Sequence, residues 1–180
     1  MRIPANYPSA RGFTLVELMM GLAVAAILFG IALPSFNAMI ERQRLIAAQH
    51  ALIGGFHYAR SLAISERRNA AICPSSDGLR CRSGGVWDSG WLIYVDSNRN
   101  GQRDDSEPVR RMQLSPQAPL QVRSSSARPQ AVFRPNGGSG ASNLTLRLCA
   151  PDGRLLSALV LNNTGRLRKA GGGSANGRCG

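Results

Sequence analysis

Residues 11–33 decide how this chain is read: Arg11-Gly12-Phe13-Thr14-Leu15-Val16-Glu17-Leu18, then an apolar run that reaches Leu33. A short leader carrying Arg2 and Arg11 ends in the small residue Gly12, and the hydrophobic segment starts directly behind it. An ordinary secretory signal has its small-residue cleavage site after the apolar segment, so cutting there discards that segment. Here the natural cut lies before it, between Gly12 and Phe13, and the apolar helix stays in the mature chain. Phe13 to Leu33 is 21 residues with one ionisable group, close to the ~20 residues that cross a ~30 Å hydrocarbon core. That group is Glu17. An acidic side chain inside such a segment costs on the order of 2.5–3.5 kcal/mol and usually has a partner.

These residues resemble the class III signal of type IV pilins and type II secretion pseudopilins, with Gly12, Phe13 and Glu17 at its key positions. The resemblance implies that a membrane-embedded prepilin peptidase cuts after Gly12 and N-methylates Phe13. It also implies that Glu17 pairs with the positive N-terminus of a neighbouring subunit and sets register during assembly. The plainer alternative is that Glu17, five residues into the mature chain, reaches the headgroups unaided.

The rest of the chain suffices for one modest domain. Low aromatic content beside 20 Gly and 10 Pro suggests short strands and many turns rather than a helical bundle. Four cysteines in an exported chain suggest disulfides in an oxidising periplasm. Their spacing suggests Cys73 with Cys81 and Cys149 with Cys179, although three connectivities are possible. The net charge is +12, and its placement is uneven. From Glu41 to Glu107 nine Arg face eight acids, whereas from Pro108 to Gly180 ten Arg and Lys169 face only Asp152.

Past Pro34 an apolar stripe at helical spacing continues through Phe36, Met39, Ile46, Leu52, Phe56, Ala59 and Leu62. It predicts an amphipathic helix to about Arg68, kinked at Pro34 and weakened at Gly54-Gly55. Strand-like runs follow at 70–72, 90–95, 109–114, 120–122, 131–133, 144–148 and 155–161, separated by turn clusters. The fold class is therefore α+β: one long N-terminal helix, transmembrane then amphipathic, packed on antiparallel β-sheet. The organisation reads as leader 1–12, transmembrane helix half 13–35, and globular domain 36–180. A Cys-Pro-Ser turn, then Gly90-Trp91-Leu92-Ile93-Tyr94-Val95-Asp96, an Asn-Gly acidic loop and a late Thr164-Gly165-Arg166-Leu167-Arg168 resemble the GspH/FimT branch, most closely FimT. That branch comprises minor pilins of type IV pili and minor pseudopilins of type II secretion. The resemblance implies a pilin-like fold anchored once in the inner membrane, with a periplasmic domain and other pilins or pseudopilins as partners.

Asp96, Asn98, Asn100, Gly101 and Glu107 match the spacing of an EF-hand calcium loop. Strand-like flanks and Arg103 at a normally apolar position favour a plain Asx-rich turn, so no metal is expected. His50 and His57 share a helix face without an accompanying carboxylate, and no nucleophile motif occurs; neither catalysis nor a cofactor is expected. The segment Gly165-Arg166-Leu167-Arg168-Lys169 is the sharpest candidate. Strand alternation projects Arg166 and Arg168 together with Leu167 inward, and guanidinium forks suit phosphate oxygens. Gly165 would permit close approach of a bulky ligand. The segment resembles the Gly-Arg-x-Arg element associated with DNA binding in competence-linked FimT proteins, which implies DNA as a partner. Alternatives are an arginine-guarded sheet edge, a contact with acidic pilin subunits, or, for the whole chain, an H-type pseudopilin that contacts proteins alone.

Overall fold

A computed structural model describes residues 12, 14–114, 120–140, 143–170 and 179, without the side chains of 31–35 and 38. One helix, α1 (Leu15–Glu66), is followed by eight strands: β1 (Asn69–Pro74), β2 (Gly90–Asp96), β3 (Val109–Leu114), β4 (Gln121–Arg123), β5 (Ala131–Phe133), β6 (Leu144–Cys149), β7 (Leu155–Leu161) and β8 (Leu167–Lys169). The α+β, pilin-like class is as the sequence implies.

The chain divides into two compact units, Met1–Arg42 and Gln43–Gly180. In the first, apolar side chains from Leu15 to Phe29 project on every side of the helix and are largely exposed. A surface helix of a globular protein would instead confine them to one stripe. Among the described residues no helix is long and apolar enough to cross a membrane. The described side chains of this apolar segment end at Gly30, and Phe13 lies outside the described residues.

In the second unit the helix buries Ala48, Leu52, Gly55, Phe56, Ala59, Leu62 and Ala63, a three-and-four spacing that draws one stripe along its surface. His50 and His57 fall on the exposed side. The helix runs unbroken through Gly54-Gly55, which corrects the expected weak point. A Cβ on Gly55 would lie 2.8 Å from the Trp91 ring and 3.2 Å from Ile72 Cδ1. That glycine lets the helix axis approach the sheet, and the contact offsets its low helix propensity.

The sheet is two sheets, not one. Four-stranded antiparallel layers have the orders β3-β2-β1-β5 and β4-β6-β7-β8. β5 returns to pair with β1, Ala71 opposite Val132, while β4 pairs with β6, Val122 opposite Leu148. Alternation in a strand specifies its faces but not its partner, so this division is not readable from the runs themselves. The helix stripe and the inner faces of both sheets share one core. At its centre Phe56, 1% exposed, stacks on Trp87 at 6.0 Å and meets Phe133 edge-on at 6.3 Å.

β1 and β2 are buried on both faces, which explains their continuous apolar runs. Their outer side chains, Ala71, Cys73, Leu92 and Tyr94, pack with Cys81, Val109 and Val132. The Cys73–Cys81 disulfide holds the covering loop in place. Cys149 is joined to Cys179, whose amide donates to the Gly153 carbonyl at 3.1 Å. Both pairings agree with the spacing.

Phe56→Ala is expected to cost about 3–5 kcal/mol, because it empties the site that the helix shares with Trp87 and Phe133. Gly55→Leu is expected to destabilise as well by driving a branched side chain into Trp91. Chemical denaturation followed by tryptophan fluorescence measures both; a loss below ~1 kcal/mol for Phe56→Ala would contradict this packing.

Candidate functional site

Thr14 precedes the first helical residue, and its hydroxyl accepts the Glu17 amide at 3.3 Å. Glu17 Oε2 in turn accepts the Thr14 amide and the Thr14 hydroxyl, each at 2.9 Å. This is a reciprocal capping box, in which residues three apart satisfy amides that have no partner within the helix. The sequence reading weighed headgroups or a neighbouring subunit for Glu17 and missed this third partner, although Thr-x-x-Glu before an apolar run is its signature. Gly12 is exposed, with no atom within 4 Å of the position a Cβ would take. That leaves its backbone open to approach from outside.

The arginine-rich segment forms the last hairpin. Asn162 builds the turn: its carbonyl accepts the Gly165 amide at 2.9 Å, and its Oδ1 accepts the Arg166 amide at 2.9 Å and the Thr164 hydroxyl at 2.7 Å. Gly165 has φ 76, and a Cβ there would collide with the Gly137 carbonyl oxygen. Its backbone freedom thus serves packing against the 134–139 turn. Leu167 is 9% exposed and faces the core, while Arg166 and Arg168 project from the opposite face. Lys169 lies opposite Leu159. Alternation therefore puts it on the Leu167 side, exposed at the strand end, rather than beside Arg168.

A further arginine shares the outer face. Leu144, Leu146 and Leu148 point into the core, so Arg147 points out, opposite Ala158 on β7. One pair along, Val160 sits between Thr145 and Arg168. Arg147 and Arg168 thus flank a strand whose outward side chains, Ala158 and Val160, are small. The Leu-x-Leu-x-Leu alternation carried this signal, but the sequence reading stopped at the late motif. Four other arginines of the C-terminal half are engaged elsewhere. Arg110 pairs with Glu66 at 3.0 Å, Arg123 with Asp88 and Arg154 with Asp152 at 3.5 Å; Arg111 lies 5.3 Å over the Tyr58 ring. Among the described residues no acid forms an ion pair with Arg147, Arg166, Arg168 or Lys169. The basic surface is narrower than the sequence count implied.

The acidic loop lies between β2 and β3. Asp96 and Glu107 are each 2% exposed. Burial pushes the Asp96 carboxyl above its ordinary range, opposed by the Gly101 amide and reinforced by the Glu107 charge. Among the described residues no three His, Cys, Asp or Glu side chains converge as a metal cluster. A cleft beside this loop is lined by Arg80, Arg82, Arg103 and Gln130. Its Arg103 is already engaged by the Leu79 and Glu107 carbonyls.

Residues 48–165 match the family model described as type II transport protein GspH, and residues 8–33 match that of the prokaryotic N-terminal methylation motif. The chain is 28% identical to the pilin-like protein PilA1 of Thermus thermophilus over 88% of this chain and 97% of that one. Its fold is similar to two crystal forms of the type IV minor pilin FimU of Pseudomonas aeruginosa. The TM-scores are 0.58 and 0.54, at 24% and 22% identity, covering 77% and 74% of this chain and 97% and 98% of those. These matches describe structural subunits rather than enzymes, and the methylation motif implies a membrane-anchored one. With the GspH model spanning most of the chain behind a methylation-type N-terminus, the protein belongs to the GspH/FimT family.

Proposed function

We propose that this chain is a minor type IV pilin of the FimT type, which enters a pilus through its N-terminal helix and binds DNA through Arg166 and Arg168. The carrying observation is the outer face of the second sheet, where Arg147, Arg166 and Arg168 stand exposed around Ala158 and Val160 with no acid paired to them among the described residues. A DNA backbone needs such an array, because each guanidinium can fork two phosphate oxygens. Lys169 contributes from the strand end, and Gly165 acts indirectly by holding the turn. Assembly begins with prepilin peptidase cutting between Gly12 and Phe13 and methylating Phe13 at the inner membrane. Glu17, already capping its own helix, offers a carboxylate to the incoming subunit's terminal amine. The second reading is an H-type minor pseudopilin of type II secretion, favoured by the description of the matching family model.

Gly12→Glu is expected to leave the precursor unprocessed, as read by intact mass; a mature protein beginning well downstream of Leu33 would end this reading. Glu17→Ala is expected to lower incorporation into filaments more than Thr14→Ala does. Equal losses would reduce Glu17 to a helix cap, and wild-type incorporation would remove its assembly role altogether.

DNA affinity of the purified chain is expected to fall steeply with salt, with a log–log slope near −0.9 per neutralised phosphate on duplex. Arg166→Gln with Arg168→Gln should weaken binding to all sequences alike and flatten that slope by about two; adding Arg147→Gln should remove about one more. Little sequence preference is expected, since Phe133 is the sole aromatic after Glu107 and is fully buried, leaving bases no stacking platform there. Unchanged affinity in the folded double variant would reassign these arginines to subunit contacts. No binding by the wild type at low salt would favour the pseudopilin.

A further inference from the structure

We propose that the β2–β3 loop, residues 96–107, is a calcium site. Asp96, Asn98, Asn100, Gly101, Gln102, Asp104 and Glu107 occupy positions 1, 3, 5, 6, 7, 9 and 12 of a twelve-residue calcium loop. Four of the chain's ten acidic residues fall in this stretch, in a protein of net charge +12. Two features stand against a metal, Arg103 and the strand flanks, and the structure bears on the first. The Arg103 guanidinium is held by the Leu79 carbonyl at 2.6 Å, the Glu107 carbonyl at 3.1 Å and the Asp105 carboxylate at 3.9 Å, and among the described residues it pairs with neither the Asp96 nor the Glu107 carboxylate. The other objection, strand flanks, concerns the helices of an EF-hand and not the oxygen set of its loop.

The buried carboxylates carry the argument. Asp96 is 2% exposed; its Oδ2 accepts the Gly101 amide at 3.3 Å, while its buried Oδ1 takes no hydrogen bond. Gly101 is the turn residue of the loop itself, so a carboxylate held by its amide is aimed into the loop. Glu107, equally buried, comes in from the other end, accepting the Ser97 amide at 2.7 Å and the Asp104 amide at 3.2 Å. Among the described residues neither acid has a basic partner. Two buried like charges, one with an oxygen that no hydrogen bond reaches, repel each other, and a cation between them would relieve that cost.

The ligand set is two carboxylates plus amide and main-chain oxygens, rather than three converging acids. Such a hard, oxygen-only set of mixed charge suits Ca²⁺, whereas Mg²⁺ demands a tighter octahedron and keeps its waters. A bound ion would also stiffen neighbouring loops. Gly101 receives the Gln130 side chain at its carbonyl, and Arg103 ties the loop to Leu79 in the Cys73–Cys81 loop.

The test titrates the full-length chain in detergent, stripped with chelator, with Ca²⁺ by calorimetry and with Tb³⁺ by luminescence excited through the nearby Tyr94. One saturable site is expected, with Kd in roughly the 10⁻⁵–10⁻³ M range spanned by sensor and extracellular sites, and with weaker Mg²⁺ binding. Melting temperature should rise with Ca²⁺. Glu107→Gln and, separately, Asn98→Ala should each weaken binding about tenfold or more. Asn98 is exposed, so its variant keeps the test valid if Glu107→Gln misfolds. Absence of both heat and terbium emission in folded wild type at about 10 mM Ca²⁺ overturns the proposal, since the weakest sites of this class bind near 1 mM. Wild-type affinity in Asn98→Ala together with any folded Glu107→Gln also overturns it, by placing the ion elsewhere.

Discussion

The globular unit depends on one contact, the seating of Phe56 and Gly55 on aromatic side chains of the first sheet and of the segment before β2. Phe56 touches Trp87 and Phe133, while Gly55 leaves room for Trp91. The helix stripe from Ala48 to Ala63 belongs to one core together with buried residues of both sheets. A large side chain at Gly55 or a small one at Phe56 disturbs all three layers, because interiors packed at crystal-like density have little slack.

The two sheets are also tied together at one edge by the segment before β2. The Trp87 amide donates to the Val122 carbonyl at 3.0 Å, and the Val122 amide donates to Asp88 at 2.7 Å. Arg123 pairs with the same carboxylate, and Trp87 Nε1 reaches Ser124 at 3.1 Å. A buried indole needs such a partner for its N–H. On the opposite side of the first sheet the Cys73–Cys81 loop covers Tyr94 and Leu92, protecting a layer that the helix does not reach. The loops around residues 75–82, 96–107 and 130 are linked to one another by Arg103 and Gln130, so the chain's acidic cluster lies in a connected region rather than on an isolated turn.

Electrostatics separate these surfaces. Carboxylates concentrate in the β2–β3 loop, and arginines without an acidic partner among the described residues on the outer face of the second sheet. Arginines that sequence counting would add to the basic face are drawn off by Glu66, Asp88 and Asp152 or laid over Tyr58. Exposed pairs of this kind contribute little to stability. Their consequence is to remove charge from the field that an anionic partner would meet.

The N-terminal signature was legible in the sequence because it is local: the order Gly12, Phe13, Thr14, Glu17 and the apolar run behind it need no partner to be read. The helix stripe, the extent of nearly every strand, and both disulfides were legible for the same reason, since period and short spacing are properties of neighbouring residues. Thr14 and Glu17 as a capping box, and Arg147 as an outward residue, were also present in that local signal and simply went unread. What the tertiary structure decided is everything that depends on distant pairing. Two sheets form because β5 returns to β1 and β4 joins β6. Gly165 is required because Gly137 packs against it, and Arg103 reaches Leu79 because that residue offers a carbonyl. No residue's own type specifies which remote segment will lie beside it, so these contacts, and the surfaces they leave open, exist only once the chain is folded.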